Sequence, residues 1–267
     1  MRVGIIGANG WLGAILGRRL LDSGVVTPDR LAVLTRDACS QPLYSGYAGV
    51  TWARDADDIV ARCDVIVVSV RPHDWEDVIL AAPGRLLISF MAGITLSDLA
   101  QTGARCARAM PNAAAELGKS YTPWIGDGLV TAGDAATLEN VLSVLGSVER
   151  LHDEVHLELM AAVPGSGSAY PALMAQAMLD WLTQAGVAPE TACRAVEGVI
   201  CNAAQLLEGR IAQAGQVLHD YRDYRGMTAA GLDAADAAGF SSSMRIALDA
   251  AVERGRMLRR QPAGGTS

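Results

Sequence analysis

The residues best placed to do chemistry stand near the start of the chain. The segment Gly7-Ala8-Asn9-Gly10-Trp11-Leu12-Gly13 lies between an apolar run over 2–6 and an amphipathic stretch over 11–23. Glycines between a strand and a helix let the backbone turn tightly and approach a pyrophosphate, whose charge rests at the helix N-terminus. A strict G-x-G-x-x-G from Gly7 would need glycine where Asn9 stands. Shifted by one, Ala8, Gly10 and Gly13 keep the spacing with alanine first. An ordinary turn is the bland reading, but the position after the first strand points to a bound dinucleotide. The next strand, over 31–34, ends in Thr35 and Arg36 instead of an acidic residue that would hold the ribose hydroxyls of NAD. Hydroxyl and guanidinium suit a 2′-phosphate, so the expected cofactor is NADP, with NADPH preferred over NADH. The alternative for Arg36 is a merely solvated side chain.

Other reactive residue types give weaker patterns. Cys39, Cys63, Cys106, Cys193 and Cys201 are odd in number and contain no C-x-x-C pair, so reduced and mostly buried thiols are expected. His152 and His156 have the spacing of two ligands on one helix face. The H-E-x-x-H order fails at Asp153 and no third ligand is evident, so no metal is expected. Of the 22 basic residues only Lys119 is a lysine. That excludes a hydroxyacid dehydrogenase with its lysine on the interdomain helix. It also excludes a short-chain dehydrogenase with Tyr-x-x-x-Lys, because Ala115 stands four before Lys119.

The elements that must position these residues follow from the apolar pattern. Runs over 2–6, 31–34, 50–52, 64–70 and 85–90 are separated by helical segments, which indicates a parallel sheet covered on both faces. Shorter strands are expected over 106–110, 120–125 and 147–151. After His152 alanine dominates and helical spacing takes over. One helix is expected over 190–208, from Pro189 to Gly209, another after Gly226, and a third capped by Ser241, Ser242 and Ser243. The expected fold class is α/β: an N-terminal Rossmann dinucleotide-binding domain over 1–152, then an all-helical dimerisation domain over 153–260 and a disordered tail over 261–267.

The chain has 267 residues, of which 51% are hydrophobic and 19% charged, enough to bury a large core. A net charge of −7 argues against a nucleic-acid surface. No apolar run is long enough to span a membrane and the first strand begins at Arg2, so a cytoplasmic protein is expected.

Further segments occur in one order: Val70-Arg71-Pro72 after the run over 64–70, Ala92-Gly93 after the next, then Arg108-Ala109-Met110-Pro111-Asn112, Gly165-Ser166-Gly167-Ser168-Ala169-Tyr170, and 225–232. This series resembles the pyrroline-5-carboxylate reductase family over nearly the whole chain. The corresponding family motifs are V-K-P, A-G, R-x-M-P-N, G-S-G-P-A-Y and S-P-G-G-T-T-x-x-G-L. The resemblance implies NAD(P)H-dependent reduction of a cyclic imine carboxylate by a homodimer with interlocked helical domains. It implies that Gly7, Ala8, Asn9, Gly10, Trp11 and Leu12 contact the pyrophosphate and that Thr35 and Arg36 meet the adenosine ribose or its phosphate. Val70, Arg71, Pro72, Ala92, Gly93, Met110, Pro111 and Asn112 then surround the nicotinamide.

The substrate loop departs from the family. Its S-P-G-G-T-T is here Asp223-Tyr224-Arg225-Gly226-Met227-Thr228, and the threonine thought to contact the ring nitrogen is Ala161. By the resemblance Thr228 hydrogen-bonds the substrate, the Gly226 and Met227 amides cradle its carboxylate, and Arg225 adds a clamp. Ser166 and Tyr170 are expected to cap and pack. Hydride transfer to an already electrophilic iminium asks the protein mainly for positioning, which accounts for the lack of a catalytic triad. Three alternatives stay open: a different imine of a specialised pathway, a non-catalytic NADP-binding dimer, and a prephenate-dehydrogenase-like enzyme using His152.

Overall fold

The computed structural model describes residues 1–36 and 41–258. Eight strands form one sheet: β1 (Val3–Ile6), β2 (Leu31–Leu34), β3 (Thr51–Trp52), β4 (Val65–Val68), β5 (Leu86–Ser89), β6 (Arg105–Ala109), β7 (Ser120–Gly126) and β8 (Gly146–Arg150). Their order is β3-β2-β1-β4-β5-β6-β7-β8. The first six run parallel, as the continuous apolar runs require, whereas β7 pairs antiparallel with β6 and parallel with β8. The five strands expected from the long apolar runs all pair in parallel, and the reversal falls on β7, a shorter strand whose direction the sequence did not specify. The helices α1 (Trp11–Asp22), α2 (Ala56–Arg62), α3 (Leu96–Ala100) and α4 (Ala132–Ser143) belong to this part of the chain.

Successive strand residues feed two cores, one on each face. Val3, Ile5, Val65, Val67, Leu86 and Ile88 join Leu16, Leu20, Leu138 and Val141 in one cluster. Ile6, Ile66, Val68 and Leu87 join Ile59 and Leu99 in the other. Thr95 and Thr131 each close a capping box, with Asp98 and Asp134, at the starts of α3 and α4. Arg105 fixes the second box to the sheet through paired hydrogen bonds of 2.7 and 2.8 Å to Asp134. That guanidinium holds the Asp134 carboxyl at about 2.

The chain divides into two compact units, 1–166 with 251–267, and 167–250. Our sequence boundary, after His152, falls earlier than this. Helix α5 (Glu154–Ala162) belongs to the first unit, where Leu157 is fully buried and Glu154 pairs with Arg108. His152 precedes that helix and His156 lies within it, so the two do not share a helix face.

The second unit contains α6 (Ala169–Gln184), α7 (Pro189–Glu197), α8 (Ala214–Asp223), α9 (Met227–Ala237) and the start of α10 (Phe240–Leu258). The single helix expected over 190–208 is not continuous. It breaks after Glu197 into a π turn, Gly198–Asn202, and a 3-10 turn, Ala203–Leu207. Its apolar spacing matches all three geometries, and the change falls at Gly198, the first residue of the π turn. Pro189 does sit in the first turn of α7. Helix α10 begins at Phe240, so Ser241, Ser242 and Ser243 lie in its first turn, where Ser242 donates back to the Gly239 carbonyl. Within this unit only Ala192, Val196 and Ala229 are buried. Leu173 (66% exposed), Trp181 (69%) and Ile246 (68%) lie open.

Cys63 and Cys106 are buried as expected, and burial pushes the Cys63 thiol up to about 11. Cys193 and Cys201 are exposed, which corrects the expectation for them, because their helices bury so little. Cys39 and the segment 261–267 lie outside the described residues.

Candidate functional site

Strand register brings the expected nucleotide residues to one edge of the sheet. Ile6 pairs with Leu34 on one side and Val68 on the other, Val68 pairs with Ser89, and Ser89 with Arg108. The chain therefore leaves five neighbouring strands nearly level, at Gly7, Thr35, Ser69, Phe90 and Met110. Chain order reverses between β1 and β4, which makes the gap beyond their carboxyl ends the crevice where such sheets bind ligands.

Gly7 turns the chain there with φ +86°, and a Cβ on it would lie 2.5 Å from the Ser69 carbonyl oxygen. Its N–H and that of Ala8 donate to the Leu34 carbonyl at 2.9 and 3.3 Å, tying the turn to the end of β2. Gly13 lets α1 close against this turn, since a Cβ there would come 2.5 Å from the Gly7 oxygen. The turn glycine is thus Gly7, not the alanine of the shifted frame: Ala8 is fully buried, its methyl part of the core. The working spacing is Gly7, Gly10, Gly13. Gly10 is the N-cap of α1, no side chain caps it, and the first turn carries no acidic residue. The N–H groups of Trp11, Leu12 and Gly13 are consequently those of an uncapped helix start, suited to an anion. The donors of this helix start fit a pyrophosphate, and the turn that presents them requires glycine at position 7, where a Cβ would run into the Ser69 backbone.

Trp11 is 60% exposed and its indole N–H donates to the Glu116 carboxylate. Arg19 donates to the Ala115 and Glu116 carbonyls at 2.8 and 2.9 Å, fastening α1 to the 3-10 segment Ala113–Leu117. At the end of β2, the Arg36 guanidinium lies 3.2 Å from Asp74, in the 3-10 segment Pro72–Asp77. His73 approaches the same Asp74 oxygen at 3.5 Å.

Val70 and Pro72 are half-buried beyond β4, with Arg71 exposed. Ala92 and Gly93 form the turn beyond β5, Gly93 at φ +79°. Met110 and Pro111 are buried, and Asn112 caps the 3-10 segment through Ala114 N–H at 2.9 Å. The Asn112 N–H donates to Ser120 Oγ at 3.1 Å, and Ser120 is in turn bonded to Thr122 at 2.9 Å. Beneath this turn Arg108 is 1% exposed and pairs with Glu154 at 2.5 Å. Glu154 also accepts from the Leu96 N–H at 2.9 Å, linking β6, α3 and α5.

Arg225, Gly226, Met227 and Thr228 belong to the second unit. Arg225 has φ +53°, the one positive φ outside glycine among the described residues, and its guanidinium has no partner among them. Gly226 is the N-cap of α9, again without a side-chain cap. Thr228 lines a groove of about 560 Å³ with Arg210, Asp220, Tyr221 and Tyr224.

Asp74, Glu116, Ser120 and Glu154 were not singled out from the sequence. Asp74, Glu116 and Glu154 act through partners distant along the chain, which only the fold pairs, and Ser120 meets Asn112 across the turn between β6 and β7.

Comparison with known proteins adds independent findings. Residues 154–258 match the family model for pyrroline-5-carboxylate reductase dimerisation, and residues 2–93 match that for NADP oxidoreductase, coenzyme F420-dependent. The chain is 27% identical to a pyrroline-5-carboxylate reductase of Glycine max over 263 residues, covering 96% of this chain and 95% of that protein. It is similar in fold to a solved pyrroline-5-carboxylate reductase of Coxiella burnetii, with a TM-score of 0.85 at 24% identity, covering 97% and 99% of the two chains. A Plasmodium falciparum pyrroline carboxylate reductase solved with NADP bound gives 0.81 at 18% identity, covering 97% and 98%.

Proposed function

Because the chain belongs to the pyrroline-5-carboxylate reductase family, we propose that it reduces the C=N bond of a cyclic imine carboxylate with NADPH. The observation that carries this is the level row of strand ends around an uncapped glycine turn, with arginine in place of a carboxylate beyond β2.

In this reading Gly7, Ala8, Asn9, Gly10, Trp11 and Leu12 hold the pyrophosphate, the α1 amides donating to it. Thr35 and Arg36 hold the ribose and its 2′-phosphate. Val70, Arg71, Pro72, Ala92, Gly93, Met110, Pro111 and Asn112 line the nicotinamide and keep water from it. When bound, the reduced nicotinamide supplies hydride to the imine carbon. The Gly226 and Met227 amides and the Arg225 guanidinium take the substrate carboxylate, and Thr228 hydrogen-bonds the substrate and orients it. No side chain has to form a bond, since a protonated imine is already electrophilic.

We assign a homodimer with interlocked helical domains. The second unit leaves Leu173, Trp181 and Ile246 open, and an apolar groove of about 450 Å³ lies among Met174, Met178, Trp181, Val196, Val199 and Phe240. A second copy burying those faces accounts for both. No helix among the described residues is long and apolar enough to cross a membrane, and the reading places the enzyme in the cytoplasm.

The test is NADPH oxidation in the presence of a panel of cyclic imines with and without a carboxylate. Saturable turnover of the carboxylate-bearing members is expected. NADPH binding with no turnover of any imine would leave a non-catalytic dinucleotide-binding protein instead.

A further inference from the structure

We propose that Asp74 weakens the chain's preference for the phosphorylated dinucleotide by holding Arg36 in an internal ion pair that a 2′-phosphate must displace. The inference rests on the reading that Arg36 meets that phosphate. The arginine side chain is 78% exposed and projects from the end of β2, while the Asp74 side chain is only 18% exposed and fixed in the 3-10 segment beyond β4. The 3.2 Å contact between them joins the two segments that flank the adenosine end of such a crevice. An incoming phosphate that recruits Arg36 therefore meets a carboxylate already on the same guanidinium. It must break one charge-assisted hydrogen bond and accept a like charge beside it. A dinucleotide lacking the phosphate meets neither cost.

His73 Nε2 lies 3.5 Å from the same Asp74 oxygen, so the carboxylate keeps a second neighbour when Arg36 leaves. Asp74 is thus a specificity-determining residue acting through Arg36. Its carboxylate narrows the gap between the two cofactors without itself binding the phosphate.

The test is titration of NADPH and of NADH by fluorescence against the intact protein, Asp74→Asn, Arg36→Ala and the double variant. Asp74→Asn keeps the side-chain shape and removes the charge. It should tighten NADPH by about fivefold, the upper range for an exposed ion pair, and leave NADH within about twofold. The gain should vanish in the Arg36→Ala background. NADPH affinity unchanged in Asp74→Asn, or both cofactors altered equally, would overturn the proposal while Arg36→Ala still lowers NADPH selectively. Should Arg36→Ala leave the ratio of the two cofactors unchanged, the phosphate-binding role of Arg36 fails and the proposal with it.

Discussion

In the proposed reading Arg36 decides which dinucleotide the crevice accepts, and its replacement by aspartate reverses both charge and hydrogen-bonding sense. Arg36→Asp should bind NADH more tightly than NADPH, read by titration of the two cofactors; retained NADPH preference would contradict the role. Thr228→Ala should lower kcat for a cyclic imine carboxylate about tenfold, the size of one hydrogen bond made at the reacting substrate, with NADPH affinity unchanged. Gly13→Ala should weaken NADPH binding and lower the melting temperature, because its Cβ would sit 2.5 Å from the Gly7 oxygen. At this scale the sequence was informative where chemistry depends on local spacing. The glycine turn and Thr35-Arg36 could be read directly, though the turn glycine became clear only once Ala8 was seen in the core. Asp74 and Glu154 could not be read, since nothing in the spacing of Asp74 from Arg36, or of Glu154 from Arg108, announces a pair.

Elements were legible in proportion to how they are buried. Strands covered on both faces read as unbroken apolar runs, so 31–34 matches β2 residue for residue. The direction of β7 was not legible, because an apolar run carries no sign of which way it pairs. In the second unit the alanine-rich pattern over 190–208 fits α, π and 3-10 geometry alike, and the break after Glu197 leaves no mark in it. Element starts, by contrast, have local causes that can be tested. The Asp134 carboxyl caps α4 and binds Arg105, and its value of about 2 lies below that of an unfolded aspartate. Its contribution is therefore fully present above pH 4 and is lost as pH falls through the folded value. Asp134→Ala should cost about 2 kcal/mol at neutral pH, and the gap to the unaltered protein should close between about pH 4 and pH 2 in denaturant titrations.

In the proposed reading the second unit of the molecule buries its apolar faces against a second copy of the chain. That arrangement was partly legible: the alanine-rich helical half lets helices pack closely, but alanine does not say whether the neighbours come from the same chain. Trp181, 69% exposed on α6, is the point to test. Trp181→Glu should shift the mass in light scattering from twice the chain to once, and a dimer that survives would place the interface elsewhere. The reaction itself is tested most directly by label transfer. NADPH carrying deuterium at the transferable C4 position is incubated with pyrroline-5-carboxylate and the protein, and the amine product is weighed by mass spectrometry. One deuterium per product molecule, at the former imine carbon, is the result predicted here; unlabelled substrate recovered beside fully reduced cofactor would contradict it.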